Sequence, residues 1–403
     1  MNKEYDLLII GGGPAGLAAG IYGSRAKLKT AIIEKKRKPG GQAATTEEME
    51  NYPGFAQGTT GPELTKRMAE HAKAFGAEFI RTEALEIKCE GDKRIVKTRD
   101  GDLVTKTVII ATGAEPRVLG VKGEGEFRGR GVSYCATCDA DFYTDLDVVV
   151  VGNGDAAVEE AIYLTRFARK VTIIVVHDEG IMDATKVIQE RAYANPKIDF
   201  VWNSVLEEVV GDEVVTGVKI KNLKTGEITE MPCDGVFFFV GTVPKTDFVK
   251  DLIEMDDFGY IITNDKMETN VPGIFAAGDV RQKYLRQVVT AAADGAIAAT
   301  AAEKYIAEEE GFKTDVLNAD KPVLVIFWSP TVESTFDTIN MLENLGLEEK
   351  NVKLVKIDTY KNRLIADRYE IKNIPTLLYF VDGELKNRLE DVTKENVLKI
   401  IEG

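Results

Sequence analysis

Two glycine-rich turns, Gly11-Gly12-Gly13-Pro14-Ala15-Gly16 and Gly152-Asn153-Gly154-Asp155-Ala156-Ala157, constrain the fold of this chain more than any other feature. Each follows an apolar run, Tyr5 to Ile10 and Leu146 to Val151, that reads as a buried strand. Each leads into a helical stretch, Leu17 to Arg25 and Val158 to Phe167, and then a second strand, Lys29 to Ile33 and Lys170 to Val176. Glycines at these spacings permit a tight turn and bring the free amides of a helix N-terminus up to a pyrophosphate. The chain is therefore expected to be α/β, with two Rossmann-like dinucleotide-binding folds.

The two differ where the ribose should lie. Glu34 ends the second strand of the first fold, 18 residues after Gly16, and is placed to accept hydrogen bonds from a ribose diol. In the second fold Val175 stands where Glu34 stands, and no arginine pair is ready for a 2′-phosphate. Asp178 or Glu179 could reach a ribose, but either would repel a phosphate. One fold could hold a flavin and the other a nicotinamide.

Other small or polar clusters mark ligand-facing backbone. Gly40-Gly41-Gln42 and Asn51-Tyr52-Pro53-Gly54 form a turn-rich segment, a helix is expected from Pro62 to Phe75, and Ala111-Thr112-Gly113 ends a strand. Near residue 278 a buried strand ends in Gly278-Asp279, offering a carboxylate at its C-terminal edge. Arg286-Gln287-Val288 then opens an Ala-rich helix, Val289 to Glu303, whose dipole could stabilise electron density on a reduced flavin.

Between the two folds' connections lies Cys135-Ala136-Thr137-Cys138-Asp139. Cysteines two residues apart can close a reducible disulfide, and the Asp139 carboxyl is placed to exchange a proton with them. A zinc site would need a second cysteine or histidine pair. The remaining candidates, Cys89, Cys233, His71 and His177, are all single, so no metal is expected. Cys89 and Cys233 are expected to be small buried hydrophobes. His71, on a helix, is expected at the surface or its boundary, and His177 at the edge of the second nucleotide pocket.

The 403 residues allow two or three domains, and a net charge of −15 argues against a nucleic-acid surface. No signal-like segment precedes the first strand and no apolar run reaches membrane-spanning length, so a cytoplasmic protein is expected. Residues 306–321 are charged and read as an irregular linker. A separate small α/β unit follows: strands Val323 to Phe327, Val352 to Ile357, Thr376 to Phe380 and Leu385 to Leu389, with helices Glu333 to Leu345, Lys361 to Tyr369 and Lys394 to Ile401.

Taken together, Gly11–Gly16, Gly40–Gln42, Asn51–Gly54, Ala111–Gly113, Cys135–Asp139, Gly241–Pro244, Gly278–Val280 and Arg286–Val288 resemble bacterial low-molecular-weight thioredoxin reductase. The resemblance implies a homodimeric FAD enzyme that reduces thioredoxin or a similar small redox protein. It also implies a discontinuous FAD domain, 1–115 plus 242–305, with a nicotinamide-type domain, 116–241, inserted and able to rotate. The residues matching FAD contacts are Gly11, Gly13, Pro14, Ala15, Gly16, Glu34, Gly41, Gln42, Asn51, Thr112, Gly113, Gly278, Asp279, Arg286, Gln287 and Val288. Those matching nicotinamide contacts are Gly152, Gly154, Asp155 and Ala156. Cys138 matches the cysteine that takes electrons from the flavin, Cys135 the one that attacks thioredoxin, and Asp139 the acid that protonates the leaving thiolate.

The sequence departs from that family at the His-Arg-Arg run and further arginine that hold the phosphate of NADPH. Those positions read Val175, Val176, His177, and then Ile181 or Met182. NADPH, NADH and ferredoxin stay open as donors. So does an oxidase, or a redox scaffold whose CxxC is unused. Ala140-Asp141 also replaces a usual glycine after the acid.

Residues 322–403 resemble thioredoxin itself, with Phe327-Trp328, Ile374-Pro375-Thr376 and Asp382-Gly383 in place. Val332-Glu333-Ser334-Thr335 stands where the redox pair should be. Both cysteines are missing, so this domain is expected to be redox-inactive.

Overall fold

The computed structural model describes residues 3–45, 49, 51–55 and 58–402, leaving aside the side chains of Thr137 and Cys138. The chain forms two compact units, residues 1–300 and 301–403.

In the first unit, strand Glu4–Ile10 is the hub of a seven-stranded sheet because Leu7 to Ile10 are apolar on both faces and fully shielded. It pairs in parallel with Thr30–Ile33 on one side and Gly101–Ile110 on the other. The second of these strands is long enough to serve two partners. Its first half pairs antiparallel with Lys93–Thr98, and its last residues pair in parallel with Ile274–Ala276. Residues from the far end of the unit thus complete a sheet begun at its start.

A second, all-parallel sheet is built from residues between those two parts. It runs Ile198–Val201, Lys170–Ile174, Asp147–Val151, Gly235–Phe238 and Val132–Ser133. A three-stranded antiparallel sheet, Ser204–Gly211, Val215–Asn222 and Ile228–Pro232, adjoins it in sequence. Helix Lys186–Tyr193 has no counterpart in the expectations above. The two chain crossings between the sheets form their own ribbon, Ala114–Pro116 against Thr242–Pro244, with the Arg117 amide donating to the Gly241 carbonyl at 3.0 Å.

The second unit has one sheet in the order Lys353–Asp358, Val323–Trp328, Thr376–Val381, Glu384–Leu389. The first pair is parallel and the rest antiparallel, as a thioredoxin fold requires. The Ile374–Pro375 bond is cis.

The expected linker over 306–321 is instead mostly helical. Helix Val288–Phe312 continues through it, followed by a π-turn at Lys313–Leu317. Two properties of the segment explain this. Its Ala, Glu and Lys residues favour helix, and its apolar positions have a core to enter. Ile306, Phe312 and Val316 are each at most 5% exposed, and Phe312 and Val316 pack with Val325, Phe327 and Phe380. Cys89 is a second correction. It lies exposed near the end of edge strand Ala84–Glu90, where only Ile87 turns fully inward. Cys233 is buried as expected, and burial, reinforced by the neighbouring Asp234 charge, pushes its thiol up to about 12.

Candidate active site

At the first glycine turn the backbone leaves no room for side chains. A Cβ on Gly11, whose φ is +111°, would lie 2.3 Å from the Ala111 carbonyl oxygen, and one on Gly16 would lie 1.8 Å from the Gly11 carbonyl oxygen. Gly13 is different: it caps helix Pro14–Arg25 with no side-chain acceptor, and a Cβ there would meet only Gly41 Cα, at 3.8 Å. The helix amides are therefore open to an incoming anion. Glu34 leaves strand Thr30–Ile33 and accepts from the Gly12 amide at 2.9 Å and the Lys36 amide at 2.8 Å, which fixes its carboxylate beside the turn.

The fold gathers the scattered candidates around this turn. Gly40 donates to the Gly12 carbonyl at 2.7 Å, and Gly41, at φ +61°, backs onto Gly13. Gln42 Nε2 donates to the Ala114 carbonyl. Asn51 Nδ2 donates to Gln287 Oε1 at 3.1 Å, just before the helix that starts at Val288. Thr112 Oγ1 donates to the Lys245 carbonyl at 2.8 Å, and the Gly113 carbonyl accepts from the Lys245 amide at 3.0 Å. Gly278 packs so closely on Ala15 that a Cβ would approach its methyl to 2.8 Å.

Two polar atoms in this region are shielded and unpartnered within the protein: Asp279 Oδ1 and Arg286 Nε. Burial pushes the Asp279 carboxyl up, against the pull of Lys283 and Arg286. The Arg286 guanidinium stacks 3.9 Å from the Tyr260 ring centroid. An open glycine turn at a helix N-terminus, a carboxylate at the strand end and two unpaired polar atoms suit FAD.

The second turn keeps the backbone and changes the rest. Gly152, at φ +130°, would collide with the Phe239 carbonyl oxygen if it carried a Cβ, whereas Gly154 faces open space. Asp155 begins helix Asp155–Leu164 and accepts from the Thr185 amide, and Ala156 is exposed beside it. Val175 is fully buried. Beyond it His177 pairs with Asp183 at 3.1 Å and Asp178 with Lys224 at 2.6 Å, while Glu179 is exposed. Ile181 is exposed and Met182 is buried. The two glycines fit a nucleotide's pyrophosphate, while no acid stands at the strand end for its ribose.

Cys135 is disulfide-bonded, whereas Cys89 and Cys233 are free. Cys135 has extended backbone and caps the short helix Ala136–Asp139. Its Sγ lies 3.7 Å from the Thr45 carbonyl oxygen, in the turn Ala43–Thr45 that directly follows Gly41-Gln42. The disulfide-bearing loop is thus held against the segment that cradles the first glycine turn. The side chain of Cys138 lies outside the described residues.

Ser133, which sequence reasoning passed over, organises this loop. It is 4% exposed and fixed by the pairing of Val132–Ser133 with strand Gly235–Phe238. Its hydroxyl donates to Asp139 Oδ2 at 2.6 Å and accepts from the Cys135 amide at 3.1 Å. A buried serine two residues before a CxxC is the signal that was available. Tyr143, packed below, has its phenol pushed up to about 12 by burial and by the charges of Asp139 and Cys233. Glu124 carried no sequence signal. It is fully buried, accepting from three backbone amides and from the Tyr134 hydroxyl at 2.7 Å.

In the second unit Thr335 occupies the expected position of the second redox cysteine. It is buried, and its hydroxyl donates to the Ser329 carbonyl at 3.0 Å. Among the described residues no group of acids, histidines and cysteines could hold a metal, and no helix is long and apolar enough to cross a membrane.

Comparison with known proteins assigns both units. Residues 5–295 match the pyridine nucleotide-disulphide oxidoreductase family, and residues 303–402 match the thioredoxin family. A thioredoxin reductase of Peptoclostridium acidaminophilum is 55% identical over 312 residues, which is 76% of this chain and 98% of that protein. One from Bacillus subtilis (strain 168) is 48% identical over 315 residues, 78% of this chain and 98% of that one. The crystal structure of Lactococcus lactis thioredoxin reductase superposes with a TM-score of 0.70 at 48% identity, covering 75% of this chain and 99% of the other.

Proposed function

The chain belongs to the thioredoxin reductase family, and from that membership we propose a route for electrons through its named residues. The enzyme is a thioredoxin reductase-like disulfide reductase. Its FAD would be held by Gly11, Gly13, Gly16, Glu34, Gly41, Gln42, Asn51, Thr112, Asp279 and the start of the helix at Val288. When bound, FAD supplies a carrier that receives two electrons from the donor and delivers them to a disulfide.

The chain's own residues do the rest. Two electrons and a proton open the Cys135–Cys138 disulfide into a thiol and a thiolate. Sulfur of Cys135 attacks the disulfide of thioredoxin, forming a mixed disulfide and expelling a thiolate, which takes a proton from Asp139. The Cys138 thiol then returns a proton to Asp139, its sulfur attacks the Cys135 sulfur, the bond to thioredoxin breaks, and thioredoxin leaves with its second sulfur as a thiolate that solvent protonates. Ser133 holds the Asp139 carboxylate in place during these steps.

The observation that carries this reading is the bonded Cys135 seated 3.7 Å from Thr45, beside the flavin-cradling turn. The ribbon of Ala114–Pro116 and Thr242–Pro244 supplies the hinge by which the inserted domain would exchange disulfide for nicotinamide. Val175 is apolar and no arginine pair follows it, which disfavours the 2′-phosphate of NADPH; with Asp178 committed to Lys224, exposed Glu179 is the acid left to meet the ribose of NADH. The second unit, with no cysteine, takes no part in disulfide exchange. We propose that the active form is a homodimer in a reducing, cytoplasmic compartment; sedimentation and cell fractionation would test this.

The test is anaerobic bleaching of the bound flavin by NADH, NADPH and reduced ferredoxin in separate mixes. Bleaching by NADH, followed by thioredoxin reduction that Cys138→Ser abolishes, is expected. Bleaching by ferredoxin alone would overturn the nicotinamide route. Thioredoxin reduction surviving in Cys138→Ser would overturn the role of the disulfide. Removing residues 306–403 should leave flavin reduction intact; its loss with FAD still bound would show that the second unit contributes to it.

A further inference from the structure

Helix Val288–Phe312 carries a single acid in its Ala-rich first half, Asp294, and that acid faces inward. It is 6% exposed, with Ala291 and Ala298 buried on the same side. A carboxylate in such surroundings is strongly disfavoured unless it is paired. Here it has three donors. The Gly278 amide and Lys283 Nζ reach Oδ2 at 3.0 and 2.7 Å, and the Arg281 guanidinium reaches Oδ1 at 3.2 Å. Both cations are themselves nearly dry, with side chains 7% exposed for Lys283 and 14% for Arg281. Arg281 Nε also donates to Thr263 Oγ1 at 2.8 Å. The amide that Asp294 holds belongs to Gly278, in the left-handed region at φ +81°, immediately before Asp279 and its unpartnered Oδ1.

We propose that Asp294 is a positioning residue of the flavin site: it ties the Gly278–Asp279 turn to the helix and neutralises Arg281 and Lys283 beneath that turn. The inference rests on reading Asp279 as a flavin contact. Both Asp294 oxygens are occupied by protein donors, so the residue acts through the turn and through its charge. Replacing it by the isosteric amide removes the carboxylate that pairs both buried cations, leaving only the neighbouring Asp279 to act on Lys283. In a region of low dielectric, excess positive charge favours the electron-rich, reduced flavin. Asp294→Asn should therefore raise the flavin midpoint potential and, by loosening the turn, weaken FAD binding about tenfold. Lys283→Met removes one cation and should shift the potential the other way. The double variant should return toward the parent value.

The experiment is a dye-referenced reductive titration of the full-length flavoprotein, with FAD release measured by ultrafiltration. Opposite shifts in the two single variants, cancelling in the double, are expected. A merely structural clamp would weaken FAD binding without that pattern. An unshifted potential in FAD-loaded Asp294→Asn, or shifts of the same sign in both variants, would overturn the proposal. If Asp294→Asn does not fold, Lys283→Met and Arg281→Met carry the same test: each must lower the potential, and no change in either overturns it. Failure of the parent protein to bind FAD would instead defeat the flavin reading on which the proposal rests.

Discussion

In the first nucleotide fold, Gly11 lies against Ala111, Gly13 is open, and Glu34 waits at the strand end with a carboxylate held by two amides. In the second, Gly152 lies against Phe239 in the same way and Gly154 is open in the same way. Yet the strand there ends in buried Val175, and beyond it His177 and Asp178 are engaged by Asp183 and Lys224. The backbone devices for a pyrophosphate survive in both copies, while the side chains that would select a ribose differ. The glycines are demanded by packing as much as by ligand, because a Cβ at either turn would strike a carbonyl. The ribose-facing side chains meet no backbone clash of that kind, so they can change at smaller cost to the fold, although Glu34 also accepts from two amides.

The contrast can be broken or sharpened by substitution. Gly11→Ala should have the largest effect. Its methyl would meet a backbone oxygen at 2.3 Å in a left-handed conformation, which should cost at least about 3 kcal/mol and abolish FAD retention in soluble protein. Thermal melting and flavin content check this. Val176→Arg with His177→Arg supplies the missing cations at partly exposed positions, and should raise kcat/KM for NADPH about tenfold or more relative to NADH. No gain would mean that the second fold does not seat a nucleotide.

Glu160 gives the second fold a pH signature. Its Oε2 is shielded with no partner, and burial, with Glu159 adding repulsion, pushes its carboxyl from about 4.5 up to about 7. The native state therefore binds this proton more tightly than the unfolded state. The stability it contributes is fully present below pH about 4.5 and is lost as pH rises through about 7. Glu160→Gln should be more stable than the parent by about 1–3 kcal/mol at pH 8, with the gap closing by pH 4.5; melting curves across pH read it directly. Gly154→Ala should be mildest for stability, costing about 1 kcal/mol or less, because nothing stands within 4 Å of the new methyl and only the N-cap preference for glycine is lost. If a dinucleotide approaches that backbone, the KM for the nicotinamide donor should nevertheless rise, and an unchanged KM would argue against binding there.

Much of the site was legible beforehand because its signals are local. A GxGxxG between strand and helix, a CxxC followed by an acid, and a Gly-Asp at a strand end each declare themselves within a few residues. The helix over 306–317 was misread because its charge suggested solvent, and only the burial of Ile306, Phe312 and Val316 shows the face that packs. Exposure of Cys89 was misjudged for the converse reason: a β-rich pattern does not say which strand lies at an edge. Ser133 and Asp294 were overlooked because a single serine or aspartate is uninformative until its partners are known.

By itself the sequence determined the repeated nucleotide fold, the CxxC and the absence of cysteine from the thioredoxin-like unit, since each is written in contiguous residues. Only the tertiary structure decided that Cys135 sits by Thr45, that Ser133 holds Asp139, and that Asp294 binds two cations and the Gly278 amide. Those partners are brought together by sheet register and by burial. Both are properties of the whole packed chain, and no local pattern of residue types encodes them.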